Sequence, residues 1–124
     1  MDQYSPFKGK TGLKRILNAA GYSFAGFRAA FQNEAAFRQI IFLNIILIPL
    51  TFFFRISPAE QAIMIIVCLL SIIVELFNSA IEAIVDRVSL EKHELSKNAK
   101  DMGSAAQLVS LVIIFMTWAI ILLK

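Results

Sequence analysis

Three segments of the chain, about Ala35 to Ile56, Ala59 to Val85 and Ala105 to Leu123, are long and apolar enough to cross a bilayer core. A core of roughly 30 Å takes about 17 to 25 residues of helix. In a chain of 124 residues, 58% of them hydrophobic, three such spans leave room for one small all-α membrane domain and not for a soluble globule. Arg38 and Asn44 interrupt the first span, Glu75 and Glu82 the second, and the third reads as clean.

Ahead of the first span, Leu13, Ile16, Leu17, Ala20, Phe24, Phe27 and Phe31 recur at intervals of three and four, which predicts an amphipathic helix over about 12–33. Its basic face, with Lys14, Arg15 and Arg28, suits the head-group side of a membrane interface. Gly21 and Gly26 within it each cost roughly 1 kcal/mol against alanine, which suggests close approach by a ligand or another helix. Lys8, Lys10, Lys14, Arg15, Arg28 and Arg38 precede or open the first span, and Arg87, Lys92, Lys97 and Lys100 separate the other two, whereas Arg55 and Lys124 lie at the opposite ends. The excess of positive charge places the N-terminus and the second connection in the cytoplasm and the C-terminus outside. The net charge of +3 is accordingly a membrane-surface signal and not a nucleic-acid one. No cleavable signal peptide is visible in the first 34 residues, so the mature chain is expected to begin at Met1.

Cys68, the single cysteine, permits no internal disulfide and reads as a packing residue; His93, the single histidine, reads as solvent-facing, with no zinc ligand set around it. Pro49 predicts a kink in the first span. The charged stretch from Asp86 to Ser104 reads as a partly helical cytoplasmic connector.

The segment VELFNSAIEAIVDR, residues 74–87, is where carboxylates enter an apolar span. On a helix Glu75, Asn78, Ser79, Glu82 and Asp86 fall within one arc of about 100°. A charged side chain at mid-membrane costs about 2.5 to 3.5 kcal/mol on insertion scales, so the stripe must face a partner. Three thin helices offer little interior, which makes an oligomer with meeting polar faces the economical expectation. Ser79, Ala80 and Ala83, with Gly103, Ser104, Ala105 and Ala106, would permit close helix contact. Carboxylates with an amide are hard oxygen ligands suited to Mg²⁺ and to the phosphates it carries, and Glu34 lies at the same boundary. Phosphoryl transfer needs little more than this: metal-bound phosphates, a cation such as Lys100, and a carboxylate to accept a proton. No G-x-x-x-x-G-K-[ST] or G-x-G-x-x-G motif is present. The chemistry alone fits an ion or proton transporter equally well.

Together, NEAAFRQ, VELFNSAIEAIVDR and HELSKNAKDMGSAA resemble the small bacterial integral-membrane diacylglycerol kinase family, over about Arg15 to Trp118. The resemblance implies a homotrimer of three-span subunits, each with a surface helix, in the bacterial inner membrane, with active sites shared between neighbours. It implies transfer of the γ-phosphate of MgATP to a lipid alcohol, here diacylglycerol. On matching positions, Glu75 resembles the catalytic base, with Asn78 orienting it, and Glu34 and Glu82 resemble the carboxylates that hold the metal with ATP. Arg15, Tyr22, Glu91, Lys92, His93, Lys100 and Asp101 match nucleotide-associated positions. Ala19, Ala20, Gly21, Ser23, Arg28, Ala29, Ala30, Asn33, Ser104 and Trp118 match the lipid side. Phe24 and Phe31 stand where better-known members carry tryptophan, and Ile40 replaces a charged residue. Undecaprenol kinases share the same acidic stripe.

Overall fold

The structure, a computed structural model, describes residues 12–88 and 93–124. Its elements in chain order are α1 (Gly12–Asn33), α2 (Ala35–Leu50), a 3₁₀ turn (Thr51–Phe53), α3 (Pro58–Val88) and α4 (Glu94–Leu122). Three helices have the length and apolar character of membrane spans: α2 with its 3₁₀ turn, α3 and α4. The first helix, α1, precedes them with most of its surface exposed and Ala30 buried.

The junction between α1 and α2 is a single extended residue, Glu34, at φ −124° and ψ 111°. No basic residue occupies the last turn of α1. Arg38 serves that end instead: its guanidinium donates to the carbonyl of Phe31 at 2.7 Å, satisfying an acceptor that a helix C-terminus leaves free. The residue that seemed to interrupt the first span thus acts at its edge. Phe27 and Phe37 close the same corner with ring centroids 6.3 Å apart.

At the far end, Pro49 is the penultimate residue of α2, and the backbone tightens into the 3₁₀ turn just beyond it. The expected kink in the first span is therefore a helix end, where the lost N–H and the crowding of the Ile45 carbonyl by the proline ring fall on the last turn. Thr51 donates its hydroxyl to the carbonyl of Ile48 at 2.7 Å and accepts from the Gln61 amide at 3.2 Å. A reciprocal capping box then starts α3: the Ser57 N–H donates to Glu60 Oε1 at 2.9 Å, and the Glu60 N–H to Ser57 Oγ at 3.1 Å. Lys124 also pairs with Glu60, tying the end of α4 to the start of α3.

The principal packing is α3 against α4, with α2 also packed on α3. Val67, Cys68 and Ile114 form the apolar centre, flanked by Leu43, Leu47, Leu111 and Trp118. Cys68 is fully enclosed there, as a packing residue should be. The indole of Trp118 donates to the carbonyl of Met64 at 3.3 Å and meets Phe54 edge-on at 6.0 Å.

Above this layer α3 and α4 approach closely at Gly103. A β-carbon there would overlap Asn78 Oδ1 and come within 3.2 Å of its Cγ. Of the small residues in this region, Gly103 and Ser79 are buried, whereas Ala80, Ala83, Ser104, Ala105 and Ala106 are exposed. Gly103→Val should therefore displace Asn78 or push the helices apart, lowering stability by about 1 to 3 kcal/mol. The midpoint of thermal inactivation in detergent measures it. A parental midpoint would mean that the helices are not in contact at this point.

Candidate active site

The acidic stripe of α3 enters the protein by degrees. Asp86 and its neighbours at the end of the helix are exposed, Glu82 is half-buried, and Glu75, Asn78 and Ser79 are buried, at 3%, 7% and 8% exposure. One chain therefore encloses the deep half of the stripe without an oligomer, contrary to the expectation from three thin helices. The reason lies on α4, which brings Gly103 and Gln107 against it.

Glu75 meets two amides. Gln107 Nε2 donates to its Oε1 at 3.0 Å, and Asn78 Nδ2 stands 3.4 Å from its Oε2, one turn along α3. The first is a normal hydrogen bond and the second is long. Asn78 is thus where an orienting residue should be, but Gln107 holds the carboxylate more closely. Below them, Asn44 of α2 donates to Ser71 Oγ at 3.1 Å and to the Ile40 carbonyl at 3.0 Å. The asparagine that breaks the apolar run of the first span is the polar link between α2 and α3.

Glu82 lies two turns from Glu75, about 10 Å nearer the C-terminal end of α3. Its electrostatic neighbours include the carboxylates of Glu34 and Glu75 and the ammonium of Lys100. Glu34, at the junction of α1 and α2, is itself half-buried. Two carboxylates that repel one another suit a hard dication. Among the described residues no group of three or more histidine, cysteine, aspartate or glutamate side chains could hold a metal ion. Two carboxylates would leave most positions around such an ion to phosphates and water, an arrangement Mg²⁺ accepts.

Lys100 bridges the two long helices by pairing with Asp86 at 2.7 Å, and Asp101 pairs with Lys97 at 2.7 Å along α4. Exposed pairs of this kind contribute little stability, which leaves the lysines available to an anion. The imidazole Nδ1 of His93 accepts from the Leu95 N–H at 3.1 Å and so caps α4. Glu91 and Lys92 lie outside the described residues.

On α1, Arg15, Ala19, Ala20, Gly21, Tyr22, Arg28, Ala29 and Asn33 are exposed, and Ser23 donates its hydroxyl to the carbonyl of Ala19 at 3.0 Å. Open space surrounds Gly21 and Gly26, so no helix of the same chain accounts for these glycines. Arg28 borders a shallow, almost wholly apolar groove of about 350 Å³ lined by Phe27, Phe31, Phe37 and Ile41. Ser104 is exposed on α4. Trp118 is not brought to this site: its bond to Met64 places it in the apolar layer, some 16 Å along α4 from Gln107 by helical rise.

Residues 21–122 match the family model for prokaryotic diacylglycerol kinase. A diacylglycerol kinase of Pseudomonas aeruginosa is 71% identical over 119 residues, covering 96% of this chain and 97% of that protein. Diacylglycerol kinases of Haemophilus influenzae and Escherichia coli K12 are 48% and 46% identical over 112 residues, 90% of this chain and 95% and 92% of theirs. By the extent of these matches, the chain belongs to the prokaryotic diacylglycerol kinase family.

Proposed function

We propose that the chain transfers the γ-phosphoryl group of MgATP to the hydroxyl of diacylglycerol, giving phosphatidic acid at the cytoplasmic face of a bacterial inner membrane. The observation that carries this reading is the graded stripe on α3. A buried, amide-held carboxylate lies at its deep end and a repelling carboxylate pair at its cytoplasmic end. The 71% identity to a diacylglycerol kinase supports the choice of substrate. Lipid alcohol comes from the bilayer, with the apolar groove beside Arg28 suited to an acyl chain, and nucleotide comes from water.

Glu34 and Glu82 would hold Mg²⁺ with the nucleotide phosphates, an ion that when bound would offset charge on the transferring group. Lys100 adds a cation on the same side. Glu75 accepts the proton of the hydroxyl as its oxygen bonds to the γ-phosphorus and the bond from that phosphorus to the departing ADP breaks. A transporter reading has less support, because the polar residues beneath Glu75 give way to the apolar layer of Val67, Cys68 and Ile114.

Purified protein given γ-labelled ATP with diacylglycerol or undecaprenol in equal vesicles tests the assignment. Label should appear in phosphatidic acid; faster labelling of undecaprenol would move the chain to the other lipid alcohol, and label in neither would end the kinase reading.

The N-terminus and the α3–α4 connection face the cytoplasm by the excess of positive charge. The protein works as a homotrimer whose sites combine residues of neighbouring subunits, supported by the half-buried Glu82 and the open flank of α1 at Gly21 and Gly26. Mixing subunits that carry Glu75→Gln with subunits that carry Lys100→Met should restore part of the activity. No recovery in demonstrably mixed oligomers would place each site within one chain.

A further inference from the structure

Gln107 sits in the middle of α4, 8% exposed, and the reaction described above gives it no part. Its amide nitrogen stands 3.0 Å from Glu75 Oε1 and 3.0 Å from the backbone carbonyl of Ser71, so each of its two hydrogens has an acceptor. Turning the amide over would set its oxygen against a carboxylate oxygen and a carbonyl oxygen. The orientation is therefore determined by its surroundings. It comes at a cost, since Gln107 Oε1 is buried without a hydrogen-bond partner. Packing alone would be served by an apolar side chain, and joining α3 to α4 would need only the bond to Ser71.

The acceptors are themselves held. Ser71 donates its hydroxyl to the Cys68 carbonyl at 2.6 Å and accepts from Asn44 at 3.1 Å, so its position is set by both α2 and α3. Gln107 thus measures the place of the Glu75 carboxylate against a braced stretch of backbone one turn away. It occupies Oε1, whereas the longer contact from Asn78 leaves Oε2 the less restrained oxygen.

We infer that Gln107 is a positioning residue, which fixes Oε1 of Glu75 so that Oε2 faces the incoming lipid hydroxyl. This rests on the reading of Glu75 as the base. Gln107→Met keeps length and volume but removes both N–H groups. It should assemble, keep KM for MgATP and for lipid within about twofold, and lose about 10- to 100-fold in kcat, since a misplacement near 1 Å can cost that much. Gln107→Asn, which keeps an amide but ends one bond short, should lose kcat in the same way and decides the matter if the methionine variant does not fold. Ser110→Ala, one turn further on the same buried face and lacking a partner for its hydroxyl, should keep the parental kcat.

Combined with Glu75→Gln, Gln107→Met should cause no further loss, because there is then no carboxylate to place. Parental kcat in both Gln107 variants, with Glu75→Gln inactive, overturns the positioning role and leaves the base intact. Multiplying losses in the double variant would also overturn it. Parental turnover in Glu75→Gln removes the base reading itself, and the role of Gln107 with it.

Discussion

Glu75→Gln should fold, assemble and bind MgATP as the parent does, yet lose turnover by roughly 10² to 10⁴, the usual contribution of a positioned general base. The substitution keeps the shape of the side chain, and Gln107 and Asn78 remain as neighbours. The change is thus confined to proton affinity and to one hydrogen bond. With 3% of its surface accessible, the carboxylate is shielded from bulk water, so water is a poor substitute for it. Glu75→Asp should recover little: the shorter side chain withdraws the carboxylate by about one carbon–carbon bond, away from Gln107, and catalysis is sensitive to misplacements of that size. Parental phosphorylation of diacylglycerol by Glu75→Gln would leave the buried carboxylate with a structural role alone.

Glu82→Gln and Glu34→Gln should behave differently, with MgATP affinity falling along with turnover. A neutral amide is a poor partner for a dication, and losing a direct ligand should cost at least the roughly 10- to 100-fold that loss of an outer-shell partner typically costs. Titration of the detergent-solubilised variants with MgATP gives the affinity without catalysis. Each variant also relieves the repulsion between two neighbouring carboxylates, so neither should destabilise the fold appreciably. Normal nucleotide affinity in both variants would remove the metal from this carboxylate pair. The two sets of variants together ask whether the stripe divides its work along α3, with nucleotide held toward its C-terminal end and proton transfer at Glu75.

Periodicity and charge exposed most of this arrangement before any coordinates. The helical spacing of Glu75, Asn78, Ser79, Glu82 and Asp86 predicted a common face, of which the first three are buried, Glu82 half-buried and Asp86 exposed. What the pattern could not supply was the partner. Counting charges made the third span look clean, although Gln107 and Ser110 lie within it and an amide at mid-membrane demands an acceptor as surely as a carboxylate demands a donor. The signal was a polar residue in an apolar run, missed because it carries no charge.

Arg38 and Asn44 show the converse. Both looked like interruptions of the first span, and both donate to groups elsewhere in the chain: Arg38 to Phe31, seven residues back, and the Asn44 amide nitrogen to Ser71 on the next helix. The small residues around Gly103 were legible as a class but not individually. Only three-dimensional register separates the buried Ser79 and Gly103 from the exposed alanines. Trp118 matched a lipid-side position by resemblance, yet its indole is committed to Met64 in the apolar layer.

The account rests on direct transfer to a hydroxyl that Glu75 has deprotonated, and the stereochemical course at phosphorus tests this most directly. ATP made chiral at the γ-phosphorus with oxygen isotopes and sulfur would be turned over with diacylglycerol, and the configuration of the product read. A single in-line displacement inverts the centre, and inversion is the predicted result. Retention would mean two displacements, with the phosphoryl group resting on the enzyme between them, and would contradict the assignment of Glu75 as a base.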